Sequence, residues 1–336
     1  MNSYMLMTSG FCPPMPWKAI KAMAAAKRRL EEFLFPAKFD TWIAILRCGL
    51  GVQILASALP LWHDWNYLLK ANSERGLISR ELTEAMLSLD SPFVPRLGWL
   101  VNLASSIGMS EETTLTVVYG LLLCSGVCLL LGMFSRPAAI AGWLVQLACR
   151  GSGGLTTYGV DHFTTIGLFY LALTPLPDSY SIDKLVWKSR SFNVHWSGFV
   201  QRTLQVHLCF IYFFGGLAKC LGTGWWNGSS MWRALTRSPF NFLPPELLLR
   251  WSFLLPVAGM CVCILEVGYP FFIWPKPTRR IWLPCIMLLH ASIGLTMGLY
   301  LFALVMIVLN AAAFGPGLFS FPNISPAVTR PRPATS

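Results

Sequence analysis

Residues 114–134, TLTVVYGLLLCSGVCLLLGMF, decide the fold. Between Glu112 and Arg136 no Asp, Glu, Lys or His occurs, and an apolar run of about 20 residues is what carries an α-helix through a bilayer's hydrocarbon core. The chain around it obeys the same logic. Of its 336 residues 54% are hydrophobic and 12% charged, against roughly 25% charged in soluble domains. Fourteen Trp, 22 Phe and 9 Tyr suit a lipid-facing surface anchored at two interfaces. The net charge of +11 comes from basic residues set between apolar segments rather than gathered in one patch. It therefore speaks against nucleic acid and reads as a topology signal, with membrane lipids as the expected partner.

Working outward, a first span is expected at about 39–60, interrupted by Arg47. After the clear run, a shorter piece follows Pro137 and ends at Arg150, where GSGG breaks it; this third helix is expected to be short or re-entrant. Further spans are expected at about 160–176, 203–222 and 251–275. The stretch from Ile281 carries no charge through Thr329 and is too long for one simple crossing, so it reads as a long tilted helix or a broken pair. The expected fold is an all-α polytopic transmembrane bundle of seven to eight spans. Ahead of it, in a region 1–35, WKAIKAMAAAKRRLEEFLF carries five basic residues and reads as an amphipathic interfacial helix. The transmembrane domain is expected over 36–315, followed by a Pro-rich disordered tail over 316–336.

Lys and Arg in short loops set the orientation. Arg136, then Lys184, Lys188, Arg190 and Arg202, then Lys276, Arg279 and Arg280 fall on alternate connections together with the basic N-terminal helix. The N-terminus and 177–202 are thus expected to be cytoplasmic, and 61–112 and 223–250 external, in a bacterial inner membrane. No cleavable signal pattern is evident, so the first span is expected to direct insertion. The ten cysteines lie mostly inside spans and none forms a C-x-x-C pair, so neither zinc nor a thioredoxin-like motif is indicated and no metal is expected.

The informative residues are the ionisable ones inside apolar spans, each costing roughly 2.5–3.5 kcal/mol at a helix centre. They are Arg47, Asp161, His162, Lys219, Glu266 and His290. Two buried pairs, Arg47 with Glu266 and Lys219 with Asp161, would neutralise four of them and fix helix register. Arg47 and Glu266 are read as such structural charges. Lys219 stands in IYFFGGLAKCLGTGWWNG, where Gly215 and Gly216 let another helix or a ligand approach closely. Desolvation there would make its amine available as a base. Asp161, His162, Lys219 and His290 are expected to converge on one cavity and to form the catalytic set.

Four motifs occur in order: FLFPAKFDTWIAILRCGLG at 33–51, YGVDHFTTIGLFYLALTP at 158–175 followed by SYSIDKL, YFFGGLAKCLGTGWWNG at 212–228, and EVGYPFFIWPKPTRRIWLPCIMLLHASIGLTMGLYLF at 266–302. Together they resemble the transmembrane part of the vitamin K-dependent γ-glutamyl carboxylases and their bacterial relatives, the horizontally transferred transmembrane (HTTM) domain proteins, over roughly residues 30–315. The resemblance implies a lysine base for a vitamin K-type hydroquinone at Lys219 and histidines of the same site at His162 and His290. A reduced quinone is accordingly the implied cofactor. The lysine follows Ala218 here, where the carboxylases have a second lysine, and the carboxylases continue into a large lumenal domain that is not expected after SPAVTRPRPATS. Peptide γ-carboxylation is therefore not expected of this chain alone. Two readings stand: an enzyme acting on a quinol or another lipophilic substrate, and a non-enzymatic lipid- or quinone-binding membrane subunit. Transport ranks below both because no internal inverted repeat is apparent.

Overall fold

The computed structural model describes residues 17–37, 40–71, 79–154, 157–186 and 193–317. Among these residues there are sixteen helices and no strand. Nine longer helices carry the architecture: α1 Trp17–Leu34, α2 Thr41–Ala58, α3 Glu111–Leu131, α4 Ser135–Ser152, α5 Gly159–Leu173, α6 Val194–Cys220, α7 Leu254–Phe272, α8 Lys276–Met297 and α9 Tyr300–Phe314. Short helices fill the α2–α3, α5–α6 and α6–α7 connections. Most of the expected C-terminal tail lies outside the described residues, as do residues 1–16.

Helices stand in every expected span, yet the count of seven to eight crossings is not confirmed. Among the described residues five helices are long and apolar enough to cross a membrane, namely α2 with its 3₁₀ extension to Leu61, α3, α6, α7 and α8. The others fall short for identifiable reasons. Helices α5 and α9 have 15 residues each, roughly 22 Å against a hydrocarbon core of roughly 30 Å. Helix α4 is a full 18-residue helix rather than a re-entrant stub, but it carries Arg136, Gln146 and Arg150. The long C-terminal apolar stretch is a broken pair: Gly298, at φ 70°, ends α8 in the left-handed region and lets α9 begin two residues later.

Helix α2 is the hub, packing on α3, α9 and α5. Small residues permit these approaches. A Cβ on Gly51 would stand 2.8 Å from the backbone nitrogen of Leu130 and 2.9 Å from the carbonyl oxygen of Gly126. Lipid gives helices no hydrophobic reason to associate, so such close van der Waals packing supplies the attraction. The start of α3 is set by Ser110, whose hydroxyl accepts from the backbone N–H of Thr113, with Glu111 and Glu112 in the first turn.

Up-and-down alternation gathers the basic connections at one end of the bundle. There the guanidinium of Arg202 lies 4.4 Å from the Phe33 ring and 4.9 Å from the Trp274 ring. Close by, Arg279 stands 5.5 Å from the Phe314 ring. Helix α1 is joined to this end at its C-terminus and is otherwise exposed over the side chains described. At the opposite end Trp65 donates to the Leu115 carbonyl, Tyr119 donates to the Ala58 carbonyl, and Arg80 pairs with Glu111 at 2.8 Å.

Candidate functional site

Lys219 and Glu266 face each other because α6 and α7 touch backbone to backbone. A Cβ on Gly216 would stand 2.7 Å from Glu266 Cβ and 2.8 Å from the Val267 nitrogen. With that gap closed, Lys219 Nζ, one turn further along α6, donates to Glu266 Oε2 at 2.5 Å. The pair is only partly enclosed, the side chains being 27% and 11% exposed. Trp225 covers the ammonium from the α6–α7 connection, its ring centroid 5.5 Å from Nζ.

Two turns below Lys219 on the same helix face, Tyr212 begins a buried polar chain. Tyr269 of α7 donates to Asn310 Oδ1 at 2.7 Å, Asn310 Nδ2 donates to the Tyr212 oxygen at 2.7 Å, and Tyr212 lies 2.6 Å from His290 Nε2. All four residues are buried, His290 at 4% exposure. Four helices, α6 to α9, thus contribute to one cluster. It adjoins the ion pair in register, since Tyr212 shares a face of α6 with Lys219 and Tyr269 follows Glu266 by one turn of α7. One polar atom in it is left over: His290 Nδ1 is buried and has no hydrogen-bond partner in the protein.

Asp161 and His162 stand elsewhere, which corrects the expectation of a single four-residue cavity. Asp161 is the third residue of α5, where its carboxylate accepts from the Tyr158 backbone N–H at 3.0 Å and from Gln146 Nε2 at 3.1 Å. That helix-capping task fixes it beside α4, the helix on which α5 chiefly packs. It faces a cleft of about 230 Å³ among α2, α3, α4 and α5, whose lining includes Trp65, Arg150 and Tyr158 but neither Lys219 nor His290. His162 is exposed on α5. The link from α5 to the cluster is aromatic: Phe163 meets Phe302 at 5.8 Å between centroids, and Phe302 meets His290 at 5.7 Å.

Both expected ion pairs are re-assigned as well. Glu266 belongs to Lys219, not Arg47. Arg47 Nε instead donates to Asp178 Oδ2 at 2.7 Å, with side-chain exposures of 1% and 0%. Asp178 follows the Pro175–Leu176–Pro177 turn after α5 and so lies beyond the apolar run in which a partner was sought. Tyr212, Tyr269 and Asn310 were missed because neutral polar residues raise no charge alarm. A signal existed, however: Asn310 is the sole hydrogen-bonding side chain past Tyr300 in YLFALVMIVLNAAAF, and Tyr212 stands seven residues before Lys219.

Residues 98–316 match the family model of the HTTM domain, and the chain belongs to that family. It is accordingly a multi-pass integral membrane protein. The matched region holds the whole cluster on α6 to α9, together with Asp161 and His162, whereas Arg47 precedes it. No curated protein and no solved structure matches the chain.

Proposed function

We propose that the cluster on α6 to α9 binds a lipophilic quinol of the vitamin K type from the membrane and removes a hydroxyl proton from it, with the Lys219–Glu266 pair as proton acceptor. The observation that carries this reading is the coexistence, in one intramembrane cluster, of a partly enclosed lysine–carboxylate pair and a buried histidine with an unfilled hydrogen-bonding position. In a medium of low dielectric such a pair can share its proton between ammonium–carboxylate and amine–carboxylic acid forms, which gives it basic capacity that an aqueous lysine lacks. The residues fit an aromatic ring bearing oxygens: Phe302 and Trp225 offer flat apolar faces, and His290 Nδ1 offers a polar contact. A bound quinol would supply the acidic hydroxyl and the electrons. The chain would hold it, exclude water and take up the proton at Lys219 or Glu266. Asp161 and His162, being set apart, would act at the α5 end of the aromatic path rather than on the proton itself.

A second reading is favoured by the ion pair itself. Lys219 bound to Glu266 at 2.5 Å is what a register-fixing pair also looks like, and the protein would then be a quinone- or lipid-binding subunit without turnover. The test begins with mass spectrometry of lipids extracted from the purified protein, where a copurifying quinone supports binding. The reduced naphthoquinone and oxygen are then added: epoxide formed by the parent and not by Lys219→Arg supports the enzyme, and quinone bound without product supports the subunit. We further propose a bacterial inner membrane, with the basic end and α1 in the cytoplasm. Single cysteines at Arg28 and Ser105 should then label from opposite sides with an impermeant thiol reagent, and labelling of both from one side would overturn that orientation.

A further inference from the structure

One carbonyl oxygen orients the whole buried chain. Asn310 Nδ2 lies 2.8 Å from the backbone oxygen of Met306, a group that only accepts. The side-chain nitrogen must therefore face Met306, and the side-chain oxygen is left to accept from Tyr269. The second hydrogen on Asn310 Nδ2 goes to the Tyr212 oxygen. Tyr212 has a single hydrogen, and the acceptor within reach is His290 Nε2. An Nε2 that accepts carries no proton, so the neutral imidazole bears its hydrogen on Nδ1. The opposite tautomer would aim Nε2–H at an oxygen already receiving from Asn310 and leave the buried Tyr212 hydrogen without an acceptor. A cationic imidazolium would leave it so as well.

We infer that the Tyr269–Asn310–Tyr212 chain fixes His290 in the Nδ1–H tautomer, so that His290 serves as a hydrogen-bond donor to an oxygen of the bound quinone-type molecule and not as a base. The inference rests on the function proposed above and divides its labour. The ion pair takes the proton, and His290 Nδ1–H holds the oxygen that becomes negative as the proton leaves. It also explains why a donor should be buried without a protein acceptor: the acceptor arrives with the ligand.

The experiment uses the full chain in lipid nanodiscs with ¹⁵N-labelled histidine. Five histidines are present, and the His290 signals are those lost in His290→Gln. The hydrogen is expected on Nδ1 with Nε2 bare, and addition of a short-chain menaquinone is expected to shift the Nδ1–H signal. Hydrogen on Nε2 would overturn the inference. Two variants separate the nitrogens by position, because the Asn amide reaches where Nδ1 stood and the Gln amide where Nε2 stood. His290→Asn is expected to bind menaquinone close to the parent, and His290→Gln about tenfold more weakly, the loss of one buried hydrogen bond. The reverse ranking would overturn the donor assignment. Should His290→Asn fail to fold, Asn310→Leu supplies another readout: freed from its orienting group, His290 should populate both tautomers, and a spectrum identical to the parent's would overturn the relay. If the parent binds no menaquinone while His290 bears Nδ1–H, the proposed function fails and takes the named acceptor with it. If it binds menaquinone with hydrogen on Nε2, the function stands and this inference alone falls.

Discussion

Arg47 and Lys219 are both cations inside apolar helices, each bonded to one carboxylate, and their surroundings could hardly differ more. Every N–H of Arg47 has an acceptor. Nε and Nη2 grip Asp178, Nη1 serves the carbonyls of Leu129 and Leu130, and Nη2 also serves Tyr180. The two leucine carbonyls are in the last turn of α3, where a helix leaves its acceptors unpaired and its dipole attracts positive charge. Gly132 closes that turn at φ 75°, and a Cβ there would come within 3.0 Å of Arg47 Cζ. Nearby, Asp183 accepts from the backbone of Phe134 and Ser135 and so caps α4. The result is a closed knot in which α2, α3, α4 and the segment after α5 are mutually saturated. Around Lys219 and His290 the accounting stays open, with a part-exposed ion pair and an unfilled imidazole nitrogen. Buried charge with complete satisfaction marks architecture; buried polarity with a remainder marks a place for something else.

This contrast can be broken or sharpened by substitution. The largest effect is expected at the knot: Arg47→Leu strands Asp178 in the interior and should cost about 3–5 kcal/mol, read as loss of folded protein in detergent unfolding curves. Arg47→Lys should recover little of it, since three donors cannot replace a five-donor fork. If Arg47→Leu unfolds like the parent, the knot is not architectural. Next comes Gly216→Val, which drives α6 from α7 and should cost about 1–3 kcal/mol by overpacking while parting Lys219 from Glu266. Stability and quinone binding should fall together in that variant, and binding preserved at full strength would separate the site from the helix contact. Asp161→Ala should cost about 1 kcal/mol, the value of a lost helix cap, with quinone affinity unchanged; a large drop in affinity would return Asp161 to the site. The smallest change in stability, under about 1 kcal/mol, is expected for Lys219→Arg, which keeps the charge beside Glu266. Turnover in it should nonetheless vanish, because guanidinium does not release its proton, and retained turnover would remove Lys219 from the chemistry.

Apolar run length made the helices legible, because the bilayer imposes the same requirement on every crossing and 114–134 meets it without interruption. Gly298 was legible only as one of two alternatives, since a tilted helix and a broken pair have the same composition. The pairing of charges was not legible. Arg47 finds Asp178 only because the chain after α5 folds back beneath the end of α3, a tertiary event with no local signature. Lys219 and Glu266 meet through Gly216, and that glycine did announce a close approach without saying which helix would fill it. The relay was the least visible part. Tyr212 and Asn310 lie 98 positions apart, and nothing in either neighbourhood names the other.

The short turn at Gly298 and Leu299 ties α8 and α9 into a hairpin, and the polar chain indexes its two legs. Moving α9 by one residue would rotate Asn310 by about 100° and shift it about 1.5 Å along the axis, taking it out of range of Tyr212 and Tyr269 at once. Asn310 thus acts as the mark on a vernier, so that of all the ways two apolar helices could slide past each other in lipid, one alignment alone brings every polar group to its partner.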